Sequence, residues 1–357
     1  MRNNVDTLMY SLVVPLIVFA GSLINLSFIY VVWKIKEMRT HLNWILINLS
    51  IADVLYLITS GSWKLIGTLA SPIDINLDQS VLGLQGCRYV MLFNDFFSFA
   101  SLFFVTYVAV ERYVAVCHPL RHLYISRRRR NVFICFLVWT LSMVFAALLL
   151  PAHWEFRVKC FLWPIDEKYD RFPKEVGTCL SLSPEITTAS FALQTVPFFT
   201  ALFMNLFIYL WIMIELHRRV TDCDNSNDNY HHEATTKQQR ARNAAARMLI
   251  VNGLVFFICN SPFNILATYY FSGYMFQFPM PSFAGMSIVK AICRVLVYVN
   301  SAVNPLIYSA TNLRYRKSFF VAFRCKRPLT PEALSVSDSR YRISVTHDAG
   351  HVISTAV

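Results

Sequence analysis

The chain has 357 residues, 55% of them apolar and only 15% charged, with a formal net charge of +12. An average soluble domain is roughly 25% charged, so this chain lacks the polar surface of a soluble enzyme and is far too apolar to stay disordered. The basic excess suits a nucleic-acid partner only if it is not explained by where the charges sit.

A helix needs about 20 mostly apolar residues to cross a bilayer. Seven runs qualify: 8–33, 44–69, 87–116, 132–151, 186–216, 248–271 and 283–310. None alternates with period two, which argues against a membrane β-barrel. The first run is too long for a signal-peptide core and ends without a small-x-small cleavage site, so it is expected to be retained. Residues 1–7 are then an outer N-terminus and 8–310 the bundle. Residues 311–325 are a juxtamembrane amphipathic helix and 326–357 a disordered cytoplasmic tail. The expected fold is an all-α membrane protein: a seven-transmembrane helix bundle with a short amphipathic helix after the seventh span.

Lysine and arginine set the orientation. Lys34, Lys36 and Arg39 follow the first run, and Arg127 to Arg130 follow the third. Arg218, Arg219, Lys237, Arg240 and Arg242 follow the fifth, and Arg314, Arg316 and Lys317 follow the seventh. These segments share one side, which is therefore cytoplasmic, with the N-terminus outside. The basic excess is a topology signal with added attraction to anionic lipid, and no nucleic-acid binding is expected.

Three cysteines fall on the outer side: Cys87 at the mouth of the third run, and Cys160 and Cys179 in the long loop after the fourth. Residues 154–162 and 176–182 form two strands around a polar turn, which puts Cys179 on the returning strand. An oxidising exterior favours a bridge. Cys87–Cys179 is preferred, with Cys87–Cys160 as the alternative, and the third thiol stays free or pairs with another chain.

A polar residue in hydrocarbon is costly and faces the bundle interior. Here such residues come in a recognisable order. Asn25 lies on the first run, Asp53 in Leu49-Ser50-Ile51-Ala52-Asp53 on the second, and Glu111-Arg112-Tyr113 at the end of the third. Trp139, Pro197 and Pro262 lie on the next three, with Phe256 six residues before Pro262. Asn300-Ser301-Ala302-Val303-Asn304-Pro305-Leu306-Ile307-Tyr308 closes the seventh. Together they resemble a rhodopsin-like (class A) G-protein-coupled receptor over all seven spans. The stretch around Arg39–Leu57, residues 111–120 and Asn205 are most similar to neuropeptide receptors of the FMRFamide, thyroliberin or neuromedin type.

The resemblance implies roles. Asp53, Ser101, Asn300, Ser301 and Asn304 match a sodium site, with sodium an allosteric modulator. A neutral hydrogen-bonded core network is the alternative. Glu111, Arg112 and Tyr113 match the latch that releases Arg112 to a heterotrimeric G protein. Asn304, Pro305 and Tyr308, with Pro262 and Phe256, match the switch elements. Two departures stand out: Asn260 replaces the usual Trp and Asn205 the usual Tyr. Arg242 stands where relatives carry an acid, so a second clamp on Arg112 is missing and raised basal activity is expected.

Asn94 stands where monoamine receptors carry an aspartate, with Asp95 turned about 100° away. Tyr298 stands where opsins carry the retinal lysine. Neither ligand class fits. Lys290 and Arg294 lie four apart on the seventh run and can present two positive charges to a carboxylate, amide or acidic side chain. Alternatively Asp95 neutralises Arg294 and Lys290 faces the headgroups. Phe96, Phe97, Tyr269, Tyr270 and Tyr274 line the mouth or form a membrane belt. The ligand candidates are therefore Asn94, Asp95, Lys290, Arg294 and Tyr298. An extracellular peptide agonist is expected, with a small-molecule or odorant-type receptor as the alternative and a membrane transporter as a distant one. No enzyme motif occurs, so no catalytic residue is assigned and no cofactor besides the sodium ion. Cys325 is a lipidation candidate, and the tail serines suit a receptor kinase and arrestin. The expected location is the plasma membrane, multi-pass.

Overall fold

The computed structural model describes residues 4–74, 77–118, 127–170, 172–224, 232–277 and 284–323. Seven long helices cross: α1 (Val14–Lys34), α2 (His41–Ala70), α3 (Gly83–Cys117), α4 (Arg127–Leu149), α5 (Pro184–Asp224), α6 (His232–Phe276) and α7 (Ala284–Thr311). Each contains a stretch long and apolar enough to span a membrane. Helices satisfy their own backbone, which lipid demands. A short eighth helix, α8 (Leu313–Phe323), follows.

Local chemistry sets several ends. Pro15 sits in the first turn of α1, where its missing N–H is harmless. Thr40 caps α2 by accepting from the Asn43 N–H at 3.3 Å. Gln277, with φ 53°, ends α6 in the left-handed region.

Apolar side chains face both ways. Phe19, Trp33, Phe136, Phe203 and Ile258 are each more than 65% exposed, which only a lipid surround tolerates. α2, α3 and α7 are the central helices. In the membrane window, 67% of α2 lies inside, against 22% for the helices that begin the chain and follow α3. Polar stitches cross the bundle. Asn25 Nδ2 donates to the Gly21 and Ser301 carbonyls, both at 2.9 Å. Trp139 Nε1 donates to Asn48 Oδ1 at 3.0 Å, and Tyr107 Oη to Asn131 Oδ1 at 2.8 Å.

Gly21 lets α1 approach α7: a Cβ there would lie 2.6 Å from Ala302 Cβ and 2.9 Å from its Cα. Backbone cannot step aside as a side-chain tip can. Gly21→Ala is expected to cost about 1–3 kcal/mol by overpacking, read as a lower unfolding temperature of the detergent-solubilised protein.

The outer loop forms the expected hairpin, with tighter limits. β1 (Glu155–Cys160) pairs antiparallel with β2 (Glu175–Leu180), Phe156 opposite Cys179. Cys87 is bonded to Cys179, and Cys160 is a free, exposed thiol. The 77–80 loop also holds β2: Gln79 N–H donates to Gly177 O at 2.7 Å, and Cys179 N–H to Gln79 Oε1 at 2.8 Å.

Residues 4–8 are helical and lead into a π-helical turn at Met9–Val13. α5 and α6 run on past the membrane, because their polar ends still favour helix, leaving 225–231 between them. α8 begins at Leu313, and only part of its aromatic set turns inward. Tyr315 is buried and hydrogen-bonded to Asn43, whereas Phe320 and Phe323 are exposed. Cys325, residues 326–357 and the side chains of Arg219, Lys237, Arg240 and Arg242 lie outside the described residues.

Candidate functional site

The site is a polar seam running along the bundle from the end near the hairpin to the end that carries Glu111. Its mouth is a vestibule of about 300 Å³ between α5, α6 and α7, lined by Phe191, Tyr270, Tyr274, Lys290 and Arg294, with Tyr10 from the first span. Phe191 stacks on Tyr270 and Tyr274 with ring centres 6.1 and 6.0 Å away. Below lies a narrower shaft of about 60 Å³, room for a few waters. Gln194, Phe263 and Arg294 line both chambers, so Arg294 stands where they meet.

The shaft sorts the ligand candidates. Asn94 and Asp95 both line it; Asp95 is buried, so its turn away from Asn94 keeps it within the cavity arc. Tyr298 does not line either chamber. It is fully buried against α2, with Oη 2.8 Å from Ser60 Oγ. Phe96 packs on Trp139 at 5.3 Å and Phe97 on Phe96 at 5.0 Å, away from the mouth. They belong to the core, and Tyr269 reaches the vestibule only through its edge on Tyr270. Phe191, Gln194 and Phe263 were not singled out from the sequence, although all three sit within one or two helical turns of Pro197 or Pro262. Lys64 was also unmarked: it is 2% exposed, and its Nζ lies 3.8 Å from the Trp63 ring centre.

Ser101, Asn300 and Ser301 line the bottom of the shaft, which brings it to Asp53. That carboxylate is fully buried. Ser101 Oγ donates to its Oδ1 at 3.0 Å and Asn304 Nδ2 to its Oδ2 at 2.6 Å. The Oδ1 atoms of Asn300 and Asn304 are buried and have no hydrogen-bond donor among the described residues. One buried anion with spare neutral oxygens around it is a donor set that suits a small hard cation. All five residues named for this cluster from the sequence therefore meet in one place.

Phe256 lies at the shaft floor, edge-on to Phe257 at 5.2 Å. Around Pro262, side chains bond back to carbonyls of their own helix. Asn260 Nδ2 donates to Phe256 O at 2.8 Å and Ser261 Oγ to Phe257 O at 2.6 Å. The asparagine that stands for Trp thus bonds to its own helix one turn back as it lines the cavity.

At the inner end, Glu111 is buried, and Arg130 of α4 donates to its Oε2 at 3.1 Å. The sequence paired Glu111 with Arg112 and did not point to Arg130, which read as one of four arginines marking the cytoplasmic side. Tyr113 meets His118 edge-on at 5.6 Å. Tyr308 is fully buried, edge-on to Phe28 at 5.4 Å, and its hydroxyl has no partner among the described residues. Asn205 Nδ2 donates to Thr106 Oγ1 at 3.1 Å, tying α5 to α3.

The profile of the 7 transmembrane receptor (rhodopsin family) matches residues 24–308, most of the chain and every helix that carries the seam. The chain belongs to that family. This receptor is 28% identical to neuromedin-U receptor 2 of Mus musculus, over 95% of this chain and 84% of the relative. It is 26% identical to a neuromedin U receptor homologue of Caenorhabditis elegans, over 86% and 79%. It is 24% identical to a QRFP-like peptide receptor of Branchiostoma floridae, over 88% and 78%. The rhodopsin-family receptor is a multi-pass membrane protein and not an enzyme.

Proposed function

We propose that this protein is a plasma-membrane receptor for an extracellular peptide that transmits binding to a heterotrimeric G protein. The observation that carries this is the continuous seam: an aromatic and cationic vestibule opens onto a shaft whose lining includes Ser101, the hydrogen-bond donor to Asp53. The peptide relatives support the ligand class, and the basic segments support an exterior N-terminus and a cytoplasmic C-terminus. A peptide that prefers one packing of the bends at Pro262 and Pro305 shifts the population toward it. The inner ends of α5 and α6 then part and Arg112 meets the G protein. The tail would take a receptor kinase and then arrestin, and Cys325 a lipid anchor. Screening a synthetic peptide library for nucleotide exchange in cells expressing the receptor tests this. Activation by peptides supports it; activation only by small volatile molecules or amines overturns it.

Sodium would be held by Asp53 with Ser101, Asn300, Ser301 and Asn304. Bound there, the ion supplies the positive charge that a buried carboxylate lacks. It also braces α2 and α3 against α7, which favours the closed packing. Raising sodium is therefore expected to weaken agonist binding several-fold. Asp53→Asn should abolish that dependence; competition binding at graded sodium, with potassium holding ionic strength constant, checks it.

A further inference from the structure

The vestibule has a charge imbalance. Lys290 and Arg294 lie one helical turn apart on α7, half-buried, and both line it. Among the described residues, neither has a carboxylate within 4.0 Å; the ion pairs join Glu111 to Arg130 and Glu155 to Arg157. Each cation rests on an aromatic face instead. Lys290 Nζ is 5.1 Å from the Tyr270 ring centre, and the Arg294 guanidinium carbon is 4.8 Å from that of Phe263. Arg294 and Tyr56 both line the shaft, and the guanidinium carries five N–H donors. Asp95 is the carboxylate among the described lining residues. It lies within electrostatic range of Arg294 from the shaft.

Stacking on a ring compensates a cation less well than an anion does in a partly dry space. An entering carboxylate would gain charge-assisted, fork-shaped bonds from Arg294 with Lys290 alongside. The rings of Phe191, Tyr270 and Tyr274 offer an apolar platform next to those charges.

We propose that the vestibule recognises a carboxylate borne next to an aromatic group of the ligand, with Arg294 as its fork-shaped partner and Lys290 as the second cation. This rests on the vestibule being the agonist site. A chain-terminal carboxylate and an acidic side chain share this chemistry.

Thermal unfolding of the purified full-length receptor in nanodiscs tests it without a known agonist. The probes, at tens of millimolar, are N-acetyl-phenylalanine, N-acetyl-aspartyl-phenylalaninamide and the neutral N-acetyl-phenylalaninamide. At least one acid is expected to raise the unfolding temperature by about 2 °C or more over the neutral amide. A rise with the first acid assigns the carboxylate to a chain end, and a rise with the second to a side chain. Arg294→Gln should abolish the rise. Lys290→Gln should reduce it. Acids that stabilise no more than the amide would overturn the proposal, as would a rise that survives in both variants. Peptide-driven nucleotide exchange is read separately, so either reading can fail while the other stands.

Discussion

Glu111→Gln is expected to raise agonist-independent nucleotide exchange several-fold. The Glu111 side chain is 6% exposed and accepts from Arg130 at 3.1 Å. A carboxylate this buried is held by charge, and breaking such a pair by removing one partner costs more than the pair itself is worth. Without it, Arg130 loses its buried partner on α3, and the latch proposed for Glu111 and Arg112 is weakened. A bias of about 1.4 kcal/mol is tenfold in a two-state population, so a partial loss of the latch is measurable. Arg130→Gln should act in the same direction but less strongly, because Glu111 keeps Arg112 as its neighbour. Basal GTPγS loading of a purified G protein by each variant, normalised to receptor amount, checks both. Rates equal to the parent in both variants would mean that Arg130 only anchors α4 to α3.

The second large effect concerns the outer face. Cys87→Ser or Cys179→Ser opens a loop of 92 residues between the bonded positions. Chain entropy alone puts the loss at up to about 4–5 kcal/mol. The bilayer keeps the spans helical in any unfolded form, which lowers that figure. The local consequence is sharper. Without the bond, the hairpin is held to the 77–80 loop by the bonds of Gln79 and Ser80 to Cys179 and Gly177. Surface expression should fall severalfold, and peptide potency more steeply than expression. Cys160→Ser should change neither, because that thiol is free and exposed. Cell-surface labelling and dose–response curves on the three variants separate these outcomes.

The bundle was legible in the sequence because lipid imposes one strong rule, roughly twenty apolar residues per crossing. The Asp53 cluster was legible because polar residues are rare in such runs and their order is specific. Facing was harder. Asn94 and Asp95 both line the shaft although their side chains leave α3 about 100° apart, and Phe96 and Phe97 pack inward where belt or mouth positions were open. Tyr298 looked like a pocket residue from its place on α7 but turns to Ser60. Arg130 was hidden by doing two things at once: it belongs to a basic run that sets topology, and it alone of that run pairs with Glu111 in the described residues. Lys64 carries no sequence mark distinguishing a snorkelling lysine from one packed on Trp63.

The central claim is that occupancy of the outer vestibule sets the state of the inner mouth. Its most direct measurement is peptide-stimulated GTPγS loading of a heterotrimeric G protein by the purified receptor in nanodiscs, beside Arg112→Ala. The account predicts a peptide-dependent rise in the parent receptor and none in Arg112→Ala, with peptide binding retained by the variant. An equal rise in both, or peptide binding with no nucleotide exchange on any G-protein class, would contradict it.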